Sequence, residues 1–367
     1  MSNPDSQSSL NTAVLIRRIL FFGLLIALTL TQLLVVFRGL DSAKGMDQAQ
    51  LAREMARGNG YTTKIVRPAA VGQSQIATGG EGTLVEATRD TYHSPLHPML
   101  NAGVLKLVDG GNADKWRMAD GDTVYKLDRV IAAVSVLCFL IAIGINYLLI
   151  CRLFDSKIAG VTALIMLLCD LNWKFTGTGL PQMFMLLLFS AACFFAYRAV
   201  ENTEEDGIAL VPALIAAFFL ALLCLTHWLA VWVLIGWVVY AAFFIRPRGV
   251  AALGAVIIFV VFSAYFIAKN QEYSGSPGGT ALLALYSGLG GSEDYVMRLY
   301  DLGDANLPLR NLPFTILKSA VAQGDTLFES LGSIVVAPLF FLALFHPFKR
   351  RSIASFRWGI LLMWGFG

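Results

Sequence analysis

A chain of 367 residues that is 56% hydrophobic and 14% charged falls well short of the roughly 25% charge of water-soluble domains, which excludes an ordinary soluble enzyme. Its mean hydropathy of +0.64 agrees. A net charge of +3 over this length gives no electrostatic basis for binding nucleic acid, and no such partner is expected.

The first apolar run, residues 15–37, follows a short polar N-terminus and carries Arg17 and Arg18 at its start. It has about the 20 residues that a spanning helix needs, outruns the apolar core of a secretory signal, and lacks a small-residue cleavage site after it. It reads as a retained first transmembrane helix. A polar segment, residues 38–126, comes next. Six further spanning runs are expected within 127–268, near 127–151, 158–172, 180–197, 208–226, 228–245 and 250–268. A second polar segment covers 269–330, and further apolar runs occupy 331–367. The last of these, beginning near Ile353, is too short to cross a bilayer as it stands, so the chain is expected to continue past Gly367.

The short connections hold Arg152 and Lys157, then Arg198, then Arg246 and Arg248, then Lys349, Arg350 and Arg351. Placing these basic clusters in the cytoplasm puts residues 1–14 inside and both long segments, 38–126 and 269–330, outside. Residues 173–179 and those around His227 then form short outer turns. The expected fold class is an all-α polytopic membrane protein with a large first extracytoplasmic loop that bears amphipathic helices. All five cysteines lie in or beside apolar runs, so the sequence supports neither a disulfide framework nor a thiolate metal site. Asp170, Lys174, His227 and Lys269 sit near the outer ends of their runs. Ion-coupled transporters usually need charge within the bilayer, which weighs against a transporter or flippase of lipid-linked substrates.

In the first loop, residues 46–57 are good helix formers, and Gly58 and Gly60 stop them. Met46, Ala49, Ala52 and Ala56 form an apolar stripe, so this helix is expected to lie on the membrane surface. Asp47 and Glu54 share a face but stand roughly 10 Å apart, too far to grip one small group together. Asp47, nearer the membrane, is the better candidate base.

The stretch from Gly45-Met46-Asp47-Gln48 through Ala52-Arg53 to Gly58-Asn59-Gly60-Tyr61 resembles the first outward loop of the GT-C superfamily of glycosyltransferases, which includes protein O-mannosyltransferases and aminoarabinose transferases. Tyr92-His93-Ser94-Pro95-Leu96-His97-Pro98-Met99-Leu100 is similar to the proline-rich segment that leads those proteins into their second helix. Thr178-Gly179-Leu180-Pro181-Gln182 and Ala268-Lys269-Asn270, followed by Tyr273-Ser274-Gly275-Ser276-Pro277, look like two more segments of that family, in the same order. Residues 293–325 match nothing in the pattern.

The resemblance implies a GT-C-like helical bundle in a bacterial cytoplasmic membrane. Such a protein transfers a sugar from a polyprenyl-phosphate-linked donor to a protein or lipid acceptor on the extracytoplasmic face. Asp47 would be the catalytic acid of the loop. Lys269, Arg53 and Arg57 would meet the donor phosphate, and Tyr92, His93, His97, Asn270 and Gln182 would contact substrate. No cofactor is firmly implied, and a divalent cation stays open. His93 and His97 have a metal-binding spacing only on a helix, which Pro95 and Pro98 are expected to interrupt. Gln48 and Gln182 stand where many family members carry acids, which speaks against a metal held by two carboxylates. The main rival is therefore a catalytically inactive scaffold subunit of a membrane complex.

Overall fold

A computed structural model of the chain describes residues 4–77, 88–282 and 333–367, with the short pieces 313–314, 317–318 and 321–322. Most of the segment expected at 269–330, and most of the unmatched stretch 293–325, lies outside the described residues.

The described residues are helical almost throughout. Helix α1, Pro4–Leu30, continues through a wider π-helical turn, Thr31–Val36, and its portion Ile19–Val36 is long and apolar enough to cross a membrane. At that turn Gln32 donates to the carbonyl oxygen of Trp173 at 3.0 Å and to Thr176 Oγ1 at 3.2 Å. Helix α2, Ala43–Ala56, starts at Ser42, whose hydroxyl accepts from the Gly45 amide. Strand β1, Thr62–Thr63, helix α3, Pro68–Ala77, strand β2, Thr88–Arg89, and helix α4, Leu96–Leu107, follow. The two strands pair antiparallel and tie the ends of this segment together.

One expectation about this segment is corrected. Met46 is 50% exposed, whereas Gln48 and Leu51 join Ala49 and Ala52 on the buried face of α2, because α4 packs there. As expected, no helix carries both His93 and His97: α4 begins at Leu96, after Pro95, and leaves His93 outside it. Pro95 caps α4 and Pro98 sits in its first turn, where no backbone donor is missed.

Helices α5, Lys126–Leu153, α6, Ser156–Leu168, α7, Asp170–Gly177, α8, Gln182–Glu204, α9, Leu210–Thr226, α10, Val231–Phe244, and α11, Val250–Ser274, build the bundle. Helices α12, Ser333–Phe345, and α13, Arg351–Phe366, complete the described part. α5, α8 and α11 are each long and apolar enough to span a bilayer; α6 and α7 together make a broken span bent by 51°. The expected short turn at 173–179 is thus largely helix. Its side chains serve the break: Trp173 Nε1 donates to the Leu167 carbonyl at 2.6 Å and Asn172 to that of Met166 at 3.1 Å, filling acceptors left open where α6 ends. α11 runs six residues beyond the expected 268, so Lys269 and Asn270 lie on its last turns.

The core is centred on α8 and α9, where Ala213, Ala216, Ala217 and Ala221 let the helices approach closely. Tyr197, Trp237 and Tyr240 fill the space between α8, α10 and α13. The basic turns meet at one end of the bundle. Arg152 pairs with Glu201 at 3.3 Å, Arg246 with Asp206 at 2.8 Å, and Arg350 reaches the carbonyls of Arg152 and Leu153. Helices α2, α3 and α4 gather at the other end, with the last turns of α11 against α3.

Candidate functional site

Asp47 lies in the second turn of α2. What places it is Gly45, which packs against the turn joining α7 to α8. A Cβ at residue 45 would run into the Thr178 carbonyl oxygen, so only glycine lets α2 cross here. The Asp47 carboxylate, 23% exposed, accepts a 2.6 Å hydrogen bond from Arg67 Nη2. Arg67 stands just before Pro68, the first residue of α3, and its guanidinium lies 4.5 Å over the Tyr92 ring. Its other terminal nitrogen, Nη1, is 3.6 Å from Asp90 Oδ2.

Asp90 is buried and heavily bonded. Its Oδ1 accepts from the amides of Tyr92 at 2.8 Å and His93 at 2.7 Å, and its Oδ2 accepts from His93 Nδ1 at 3.1 Å. Burial opposes its charge, but the bonds and charge of His93, with Arg67 beside them, outweigh that and hold the carboxyl below its ordinary value. A carboxylate only accepts, so the His93 proton sits on Nδ1. Its Nε2 is buried with no hydrogen-bond partner among the described residues. Tyr61 donates to the His93 carbonyl at 2.9 Å, and burial, with the charge of Asp90, pushes its phenol well above the usual value.

His97 belongs to a separate network. Its Nδ1 donates to Gln48 Oε1 at 2.6 Å and its Nε2 accepts from Asn101 at 3.1 Å, bonding α2 to α4. Burial lowers its pKa to about 4, so the ring is neutral with one nitrogen donating and one accepting. The two histidines are therefore not a pair of metal ligands. Among the described residues no group of three or more His, Cys, Asp or Glu side chains could hold a metal ion.

The end of α11 joins the same region. Thr91 Oγ1 and Thr280 Oγ1 are 2.7 Å apart, the Ala281 amide donates to the Thr91 carbonyl, and Arg89 lies 5.2 Å over the Tyr273 ring. Asn270 donates to the Pro277 carbonyl at 3.5 Å, bracing the turn that touches Thr91. Lys269, on the rim, pairs with Glu272 at 2.7 Å.

Asp47, Tyr92, His93 and Asn270 thus come into one neighbourhood, with Arg67 and Asp90 between them. Arg57 does not join them, because it pairs with buried Glu54 at 3.0 Å. Arg53 stacks at 3.8 Å on Trp116, on another side of α2. His97 is enclosed beneath the site, its ring 6.4 Å from that of Phe184, and Gln182 Oε1 is buried with no partner among the described residues. The site residues expected from the sequence include neither Arg67 nor Asp90. The available signal was Asp90 three residues before His93, a spacing at which a carboxylate can bond both the intervening amides and the ring.

No protein-family model matches the chain, and no curated protein matches its sequence. Among solved structures, the chain is similar to the archaeal oligosaccharyltransferase AglB from Archaeoglobus fulgidus, solved in complex with an inhibitory peptide and a dolichol-phosphate. The TM-score is 0.42 at 12% identity, over 89% of this chain and 39% of that one. The chain therefore spans about two fifths of that protein's length. Likeness of this degree is too slight to assign an activity.

Proposed function

We propose that this protein is a membrane glycosyltransferase of the GT-C kind. It would move a sugar from a polyprenyl-phosphate-linked donor to a hydroxyl or amine acceptor at the extracytoplasmic face of a bacterial cytoplasmic membrane. The observation that carries the reading is the partly exposed Asp47 carboxylate, set just beyond the first span and bonded to Arg67. The order of the resembling segments, and the gathering of the basic turns at the opposite end of the bundle, support it.

In this reading Asp47 takes the proton of the acceptor as its oxygen or nitrogen bonds to the anomeric carbon. The bond from that carbon to the phosphate oxygen breaks, and the carrier leaves as its phosphate anion. A cation beside the departing phosphate lowers the barrier. Arg67 is the cation nearest the carboxylate. Lys269, Arg53 and Arg57, the donor-phosphate contacts expected from the sequence, serve only after exchanging Glu272, Trp116 and Glu54 for the donor. Tyr92, His93 and Asn270 remain the proposed substrate contacts. His97 and Gln182 act from below, His97 by holding α2 on α4.

The test is transfer of labelled sugar in membranes from cells expressing the full-length protein, wild type against Asp47→Asn at matched abundance. Loss of transfer in the variant supports the reading; equal transfer by both sinks the assignment of Asp47. The second reading, an inactive scaffold subunit, rests on Gln48 and Gln182 standing where many of the resembling enzymes carry acids. Absence of transfer by wild type across a broad donor panel, together with co-purifying membrane subunits, would move the assignment there.

A further inference from the structure

A cavity of about 210 Å³ that contains both a cationic and an anionic side chain lies on the side of α2 turned away from Asp47. Arg53 is six residues past Asp47, which at 3.6 residues per turn sets their side chains roughly 120° apart. The cavity wall contains Leu40, just after the first span, and Tyr125 and Asp128, at the entry to α5. The first span ends at Val36 and α5 begins at Lys126, and these ends beside the cavity argue for headgroup depth. Its volume is roughly seven times the ~30 Å³ share of one liquid water, enough for a group of several heavy atoms.

The charges inside are held ready. The Arg53 guanidinium is fixed flat over Trp116, whose indole nitrogen is itself anchored by a 2.8 Å bond to the Gly110 carbonyl. Arg53 Nε is buried without a partner, and among the described residues no carboxylate forms an ion pair with this arginine. Asp128 lines the same cavity, close enough for its field to act on Arg53 but without a salt bridge between them. A cation and an anion facing one cavity, unpaired with each other, match a ligand that carries both signs. The planar fork of arginine suits a phosphate, and a carboxylate suits an ammonium.

We infer that this cavity binds the headgroup of an ethanolamine phospholipid, phosphate on Arg53 and ammonium on Asp128, with Leu40 and Met46 against the start of its acyl chains. The inference does not depend on the glycosyl-transfer reading; it takes Arg53 from the donor phosphate and leaves that role to Lys269 and Arg57. It differs from simple attraction of anionic lipid, which Asp128 would oppose.

The experiment is native mass spectrometry of the full-length protein in micelles doped with equal amounts of phosphatidylethanolamine and phosphatidylglycerol. Wild type is compared with Arg53→Gln and Asp128→Asn, and a parallel arm adds a polyprenyl phosphate as competitor. Wild type should retain phosphatidylethanolamine about tenfold over phosphatidylglycerol, the size expected for one charge-assisted contact. Asp128→Asn, which keeps the shape, should abolish that preference without abolishing lipid binding, and Arg53→Gln should weaken both lipids. A preference that survives Asp128→Asn overturns the inference. So does displacement of the phospholipid by polyprenyl phosphate, which would make the cavity the donor's own. Melting curves of the three proteins show whether each variant is folded, and Arg53→Lys, with charge but no fork, replaces Arg53→Gln if the latter is not.

Discussion

The bond between Gln48 and His97 makes a prediction about acid. His97 is enclosed, and its two ring nitrogens are matched to a neutral state: Nδ1 donates to Gln48 and Nε2 accepts from Asn101. Protonation would turn Nε2 into a donor pointed at the donor Nδ2 of Asn101, in a site where burial already disfavours charge. Burial lowers the folded ring to a pKa of about 4, from the 6.5 of an exposed imidazole. The unfolded chain therefore binds the proton more readily across that window, and stability must fall as pH drops from 6.5 towards 4. At ~1.36 kcal/mol per pH unit, the fall from pH 6.5 to 4 amounts to about 3 kcal/mol lost. Asp90 contributes in a different window. Its carboxyl is held below 3.8, so the stability it adds is present above that value and is lost only as pH falls through its lower folded pKa. The assay is denaturant unfolding of the detergent-solubilised protein, followed by tryptophan fluorescence, for wild type and His97→Gln across the upper window. Wild type should lose about 3 kcal/mol relative to the variant, other titrations cancelling in the difference. Parallel curves for the two proteins would show that the ring does not remain neutral in the fold, and would refute the reasoning.

Replacing Gly45 with Ala should lower stability by about 1–3 kcal/mol, because the added methyl meets the Thr178 carbonyl and α2 must shift; a melting curve measures it. Arg67→Ala should reduce sugar transfer about as severely as Asp47→Asn, whereas Lys64→Ala, an exposed charge nearby, should leave it near wild type. Transfer assays in membranes compare them, and equal activity of Arg67→Ala and wild type would remove Arg67 from the site. Trp173→Phe removes the donor that caps α6 at Leu167 and should cost about 1–3 kcal/mol, read as a lower midpoint of thermal unfolding.

The spans were legible because apolar length is a property of the sequence alone, and α1, α5, α8 and α11 are long and apolar enough to cross. The break at Cys169 was not. Its signals are the side chains of Asn172 and Trp173 reaching back to backbone carbonyls, and nothing in a run of apolar residues announces where such bonds form. The face that α2 buries was misread for a similar reason. Gln48 and Glu54 are polar yet enclosed, because His97 and Arg57 satisfy them, and a stripe drawn by hydrophobicity must leave them out. Asp47 could be singled out by its place after the first span. Its partner Arg67, twenty residues away, could be known only once the β1–β2 ladder and α3 had closed the segment on itself.

The same geometry bears on whether Gln48 marks a lost activity. Successive helical residues diverge by about 100°, so residues 47 and 48 cannot both face Arg67. Asp47 does so, and residue 48 points at α4. A glutamate at 48 would bury a carboxylate against the imidazole, and its charge would favour protonation of His97. Glutamine meets the same Nδ1 without charge, and the low pKa of His97 is the other half of that arrangement. Gln48 and neutral His97 therefore fit one another, and the docking of α2 on α4 accounts for a glutamine at 48. Gln48→Glu tests this directly: nuclear magnetic resonance of the His97 ring should show its pKa rising well above 4, and sugar transfer should persist as long as Asp47 and Arg67 stay paired. If Gln48→Glu instead left the ring unprotonated and the protein as stable as wild type, Gln48 would have no such structural duty and the scaffold reading would gain by it.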